Sequence, residues 1–185
     1  SIVKEKFKEL PNNIEAEQSV IGSILVTNEI FDELSTIITS VNFYDPMHQK
    51  IYNAIENLIY KGMLANPITL KNYFEKNQGL DDVGGVEYLV KLTRFSSSVK
   101  QAIDYAKIVH ENYVKRELIK ISQHIKDDTL NIEEDKTSEI IIEDAEKLLF
   151  DLAERGSFSQ SFMKFNLALD QSITMAEQAM KNDQG

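Results

Sequence analysis

The sequence predicts an all-α protein: a compact bundle of short helices, then a long antiparallel helical hairpin, then a C-terminal linker helix. Three observations carry this. Apolar residues recur at spacings of three and four, which places them on one helical face. Glycine and proline, seven and three in 185 residues, fall between the periodic stretches as helix punctuation. No convincing run of alternating residues marks a strand.

The elements follow in order. Asn12 with Glu15 has capping-box spacing and predicts a helix over Ile14 to Leu25. Asn28 is placed to cap a second short helix reaching Ile38. Asp45-Pro46 combines a carboxylate cap with proline at the first helical position. Behind it Ile51, Ile55, Leu58 and Ile59 recur at helical spacing until Gly62. Thr69 is read as the cap of a short helix ending near Glu75, and Gly84-Gly85 as a turn before Val86 to Leu92. The character changes at Ser96-Ser97-Ser98. Val114, Leu118, Ile121 and Ile125 form one apolar stripe, and Ile141, Ala145, Leu148 and Leu152 form another. Asp127 to Lys136 is polar and reads as the turn between them, so the two helices pack antiparallel. Gly156 is expected to end the second helix, with Ser157 to Ser161 as a linker. A last stripe of Leu169, Ile173, Ala176 and Met180 predicts the linker helix. The resulting divisions are 1–95, 96–156 and 157–185.

Composition bounds the function. Hydrophobic residues make up 42% and charged residues 27%, which supports a core and a soluble surface. No apolar run approaches the length of a membrane span, and the first ten residues lack the uncharged core of a secretory signal. There are no cysteines, so disulfides and thiolate chemistry are excluded. The net charge is −10 and the only arginines are Arg94, Arg116 and Arg155. Phosphate-backbone affinity comes mainly from Lys and Arg, so tight nucleic-acid binding by this chain is disfavoured and protein partners are favoured.

Catalytic motifs are missing. There is no Gly-Lys pair for a phosphate-binding loop, and Gly84-Gly85 lacks the third glycine of a dinucleotide fingerprint. Asp45 and His48 resemble a metal pair in spacing, but a capping carboxylate and a first-turn histidine explain them better. His110 and Glu111 point to different helix faces, and His124 sits at a stripe edge. Glu133-Glu134-Asp135 and Glu143-Asp144 read as solvated acidic surface, with docking of a basic partner as the other reading. No catalytic, cofactor or metal residue is therefore named.

Four segments then stand out: Pro11-Asn-Asn-Ile-Glu-Ala-Glu-Gln-Ser-Val-Ile-Gly22; Phe43-Tyr44 with His48, Ile51 and Tyr52; Pro67-Ile-Thr69 through Leu80-Asp-Asp-Val-Gly-Gly85 to Tyr88-Leu89; and Tyr105-Ala106, Ile108-Val109, Glu111 and Arg116-Glu117-Leu118-Ile119. In order and spacing they resemble the N-terminal domain, with linker region, of the DnaB-type bacterial replicative DNA helicase family. The resemblance runs from about Pro11 to Ile125, and the match beyond is poor.

The resemblance implies a non-catalytic, cytoplasmic scaffold for DNA replication. In the parent protein six such regions pair through their hairpins as a trimer of dimers, cap the ATPase ring and dock the helical C-terminal domain of primase. A helicase loader is a further possible partner. ATP and magnesium would be needed only by an ATPase domain outside this chain. By position within the family-like segments, Tyr88, Ile119 and Ile125 are the primase-contact candidates. Leu118, Ile121, Ile141, Leu148 and Leu152 are the hairpin and dimer candidates. Leu169, Ile173 and Met180 are expected to dock the linker helix on a neighbouring subunit. Ile119, Ile140 and Ile142 lie off the two stripes and need a further surface, which a second hairpin supplies; packing on the N-terminal globule is the other reading. The competing readings are a stand-alone helical adaptor, an ATPase or nuclease, and a single-strand binder. The ordered motifs, the absent phosphate cradle and the acidic charge respectively weigh against them.

Overall fold

The computed structural model describes residues 9–77 and 79–183, the side chains of 156–170 excepted. Among them are seven α-helices and no strand: α1 Ile14–Val26, α2 Phe31–Leu34, α3 Pro46–Tyr60, α4 Pro67–Lys76, α5 Gly85–Thr93, α6 Val99–Leu130 and α7 Ser138–Asn182. The all-α expectation holds.

Helix α1 is apolar around most of its circumference and becomes the centre of the globule, as such helices do. Val20, Ile21 and Ile24 are fully buried, and Ile51, Tyr52 and Ile55 of α3 pack into the same core. Each such side chain stabilises the fold by roughly 1.5–3 kcal/mol relative to exposure. Helix α6 lies antiparallel to α1. Its start meets the end of α1 where the Ser97 backbone N–H donates to Ser23 Oγ at 2.9 Å. Its middle meets the start of α1 where Arg116 Nη1 donates to the Pro11 carbonyl at 2.7 Å. Ala102, Ala106 and Val109 are the small buried residues that let the two helices approach. Beyond Arg116, α6 leaves the globule and pairs with α7. Helix α7 returns antiparallel to α6, since Arg155 Nη1 reaches the Tyr113 hydroxyl at 3.5 Å. Ile121 and Leu152 are buried between the two helices.

Two caps differ from the sequence reading, by one and three residues, and a third expected cap does not form. Asn13, not Asn12, caps α1 by accepting from the Ala16 N–H. Asn66 caps α4, and Thr69 is the third helical residue that closes its capping box. Asn28 caps nothing. Its side chain donates to the carbonyls of Ile24 and Ala65 and accepts from the Ala65 N–H, so it clips the α3–α4 loop to the end of α1. Asp45 caps α3 as expected, accepting from Met47. Gly84 and Gly85 both have left-handed backbone, φ +84° and +72°, the open turn angles that glycine tolerates.

The largest departure lies in α7. The helix does not stop at Gly156; it continues through 157–161 to Asn182. A glycine in a helix interior costs only about 1 kcal/mol relative to alanine, and no proline follows to break the hydrogen-bond ladder. Past Arg155 the helix runs on for about 40 Å at 1.5 Å per residue, and 171–183 are exposed throughout.

Candidate interaction surfaces and the polar skeleton beneath them

The four sequence segments meet in one buried polar skeleton. Glu17, on the core side of α1, is 1% exposed. Its carboxylate accepts from the backbone N–H groups of Tyr44 at 2.7 Å and Asp45 at 3.2 Å, and from His48 Nδ1 at 2.8 Å. His48 is fully buried, and its Nε2 lies 2.6 Å from the Tyr88 hydroxyl. Gln18 Nε2 donates to that same hydroxyl at 3.3 Å. A carboxylate can only accept, so His48 Nδ1 is the donor to Glu17, and Nε2 is left to partner the Tyr88 hydroxyl. Burial pushes the Tyr88 hydroxyl up from its ordinary value; the Gln18 hydrogen bond opposes this, and Asp45 and Glu17 add to it. Tyr88 therefore stays protonated at neutral pH and remains a donor. Its ring stacks on His48 with centroids 6.0 Å apart.

Arg116 makes the second node. Besides Pro11 it donates to the Asn42 carbonyl at 2.8 Å, and its guanidinium lies over the Tyr44 ring. Gly22 makes the third. A Cβ there would stand 2.0 Å from the Leu92 carbonyl oxygen, so only glycine lets α1 and α5 come this close. These side chains hold α1, α3, α5 and α6 in register. With acid, base and hydroxyl tied to one another inside the globule, the arrangement positions helices; it presents no reacting group to a substrate.

The Asp45–His48 pair is not a metal site in this geometry, because the cap and the skeleton use both side chains. Among the described residues no group of three or more potential ligands comes together. His124 Nε2 pairs with Asp128 at 3.3 Å on the hairpin.

The candidate contact residues divide. Tyr88 is half-buried with its hydroxyl turned inward. Ile119 and Ile125, on the projecting part of α6, are half-buried. Of the hairpin set, Ile121 and Leu152 are buried, Ile141 and Leu148 are half-buried, and Leu118 is exposed. Ile173 and Met180 are exposed on the overhang of α7; the side chain of Leu169 lies outside those described. The stripe on α7 thus meets α6, while a neighbouring face stays open. Ile142 is 57% exposed, and Leu149, seven residues on and on the same face, is also exposed. Phe150, 61% exposed, lies about a quarter turn further round, and Ile140 is exposed on the far side of the helix.

Sequence reasoning missed the roles of Glu17, Arg116, Gly22 and Asn28, although the first three lie inside the quoted segments. A signal existed for Glu17, a charged residue with Ile14, Val20 and Ile21 at helical spacing around it, and such a group needs a buried partner; Arg116, between Lys115 and Glu117, carried none.

A model of the DnaB-like helicase N-terminal domain matches residues 9–111, more than half of the chain. The chain is 39% identical over 174 residues to the replicative DNA helicase DnaB of Rickettsia bellii, and 37% identical over 174 residues to that of Rickettsia felis. It is 30% identical over 149 residues to the Pasteurella multocida protein. The Rickettsia matches cover 94% of this chain and 35% of each relative, so the chain spans about a third of their length; the Pasteurella match covers 80% and 32%. The N-terminal domain of DnaB helicase from Mycobacterium tuberculosis superposes with a TM-score of 0.69 at 25% identity, covering 77% of this chain and 99% of that one. A DnaB-like replicative helicase described with its interactions with primase superposes at 0.61 and 27% identity, over 76% of this chain and 31% of that one. The family match over more than half of the chain and the shared fold converge on one conclusion: the chain belongs to the DnaB-like helicase N-terminal domain family.

Proposed function

We propose that this chain is the non-catalytic N-terminal scaffold of a bacterial replicative DNA helicase, serving ring assembly and primase docking during DNA replication. The observation that carries the reading is the open apolar face of the hairpin. Ile142 and Leu149 are exposed beside the stripe already used for the α6–α7 contact, and Phe150 is exposed on the outer side of the same helix. Exposed apolar surface of this kind marks a protein contact, and an isologous pairing of two hairpins covers it on both copies at once. Six copies arranged as three such pairs form a collar above the parent's ATPase ring. The helical C-terminal domain of primase docks on the collar through the hairpin and the adjacent globule, where Ile119, Ile125 and Tyr88 are the candidates. A loader acts on the assembled ring. ATP, magnesium and strand separation belong to the remainder of the parent, and the overhang of α7, with Leu169, Ile173 and Met180, docks on a neighbouring subunit there. On this reading the protein works in the bacterial cytoplasm.

Light scattering over a concentration series tests the pairing. The mass should rise from 21.1 kDa toward twice that value, and Ile142→Asp should hold it at the monomer, because a charge in an apolar contact costs several kcal/mol. A strict monomer at the highest concentration, for the unmutated chain, would overturn the proposed hairpin pairing.

A further inference from the structure

A second apolar surface lies at the end of the globule remote from the hairpin. Helix α1 runs antiparallel to α6, so the Val26 end of α1 is opposite the end from which the hairpin projects. There the Asn28 side chain clips Ala65 to Ile24, and the turn after α3 is closed by the Met63 N–H donating to the Leu58 carbonyl at 2.9 Å. This fixed frame holds Val26, Tyr60, Met63, Leu64 and Ile68, every one exposed, with Ile68 reaching 79%. The Tyr60 ring stands edge-on to the buried Phe31 ring at 6.0 Å, so it is a seated aromatic with one side free.

The surroundings are acidic. Glu29, Asp32 and Glu33 are exposed on the segment that carries Phe31. Glu56 lies one helical turn before Tyr60 on the same face of α3. Lys61 adds a single positive charge at this end, and Lys71 on α4 faces Glu75. A second copy seated here would bring the same carboxylates against each other, and like charges in contact disfavour that pairing.

We propose that the patch of Val26, Tyr60, Met63, Leu64 and Ile68 docks a basic amphipathic helix of another protein, its apolar face on the patch and its lysines against Glu29, Asp32, Glu33 and Glu56. Helix-in-groove recognition uses apolar anchors of this kind, and the opposed charges set partner choice.

The test uses the full chain and two fluorescent helical peptides with the same leucine spacing, one filled with lysine and one with glutamate. Anisotropy should show binding of the leucine–lysine peptide and none of the leucine–glutamate peptide. Leu64→Asp with Ile68→Asp should weaken binding by about tenfold or more, although the added negative charge would strengthen a purely electrostatic contact. Leu64→Ser with Ile68→Ser, which adds no charge, should give a similar loss, and Gln123→Asp on the hairpin should give none. The inference is overturned if the patch variants bind the leucine–lysine peptide as the parent does, or if both peptides bind alike. It is also overturned if the patch variants abolish self-association of the chain, which would make the occupant a second copy.

Discussion

Glu17→Ala is the sharpest test of the polar skeleton. The substitution removes one buried carboxylate and strands three donors: the Tyr44 N–H, the Asp45 N–H and His48 Nδ1. Each buried donor left without an acceptor costs about 1–3 kcal/mol. Water entering the space and relief of the carboxylate's own desolvation offset part of that. Over three donors, and after those offsets, the loss should be about 3–5 kcal/mol. Against a total stability of about 5–15 kcal/mol for a domain, this is a large fraction. Urea unfolding followed by the seven tyrosines should show the midpoint falling by about 2 M, for a slope near 2 kcal/mol per M. Glu15→Ala is the control. Glu15 lies two residues away in the same first turn but is exposed, so only its interaction with the helix dipole is lost, worth at most about 1 kcal/mol. If the two substitutions lower the midpoint equally, Glu17 does not organise the globule as described.

Three further outcomes follow from other parts of the structure. Gly22→Ala should destabilise by at least about 1–3 kcal/mol through overpacking, because its new methyl meets the Leu92 carbonyl, which is backbone and cannot rotate away; an unchanged urea midpoint would refute the close approach. Gly156→Ala should raise helicity and stabilise α7 by up to about 1 kcal/mol, read by circular dichroism on heating; a loss of helicity would mean that the backbone at 156 is not helical. His110 is lowered from its ordinary value of 6.5 by burial, with Glu111 opposing, and its Nδ1 has no hydrogen-bond partner among the described residues. The unfolded chain then takes up the proton more readily than the folded one. This contribution is complete above pH 6.5 and is lost as pH falls through the lower folded value. His110→Gln should flatten that part of the stability–pH curve, and an unaltered curve would remove His110 as its source.

Periodicity made the helices legible, because a one-sided apolar stripe reports its own burial. Ile121 and Leu152 lie between the hairpin helices as their spacing required, whereas Leu118, on the same nominal stripe, is exposed. A stripe gives a direction of burial but not the width of the surface that covers it. Caps were less legible because Asn12-Asn13 and Asn66 to Thr69 each offer adjacent side chains able to accept from the first turn. Gly156 misled for an energetic reason: its local cost is smaller than the gain from an uninterrupted helix among good helix formers. The skeleton was hidden for a different reason. Glu17, His48 and Tyr88 are far apart in sequence, on α1, α3 and α5, and no periodicity relates residues on different helices. The signature segments that identified the family turn out to be, in large part, the side chains that lock its helices together. Tyr88, chosen from those segments as a contact candidate, also serves the skeleton through its inward-facing hydroxyl.

The proposed role is tested most directly by titrating the helical C-terminal domain of primase into this chain in a calorimeter. Saturable binding should be observed, weakened about tenfold or more by Ile119→Asp on the projecting hairpin and left nearly unchanged by Tyr88→Phe, which keeps the half-buried ring and removes only the inward-facing hydroxyl. Absence of any saturable heat at concentrations where the chain is folded, or binding indifferent to Ile119→Asp, would contradict the assignment of the hairpin as the primase-docking surface.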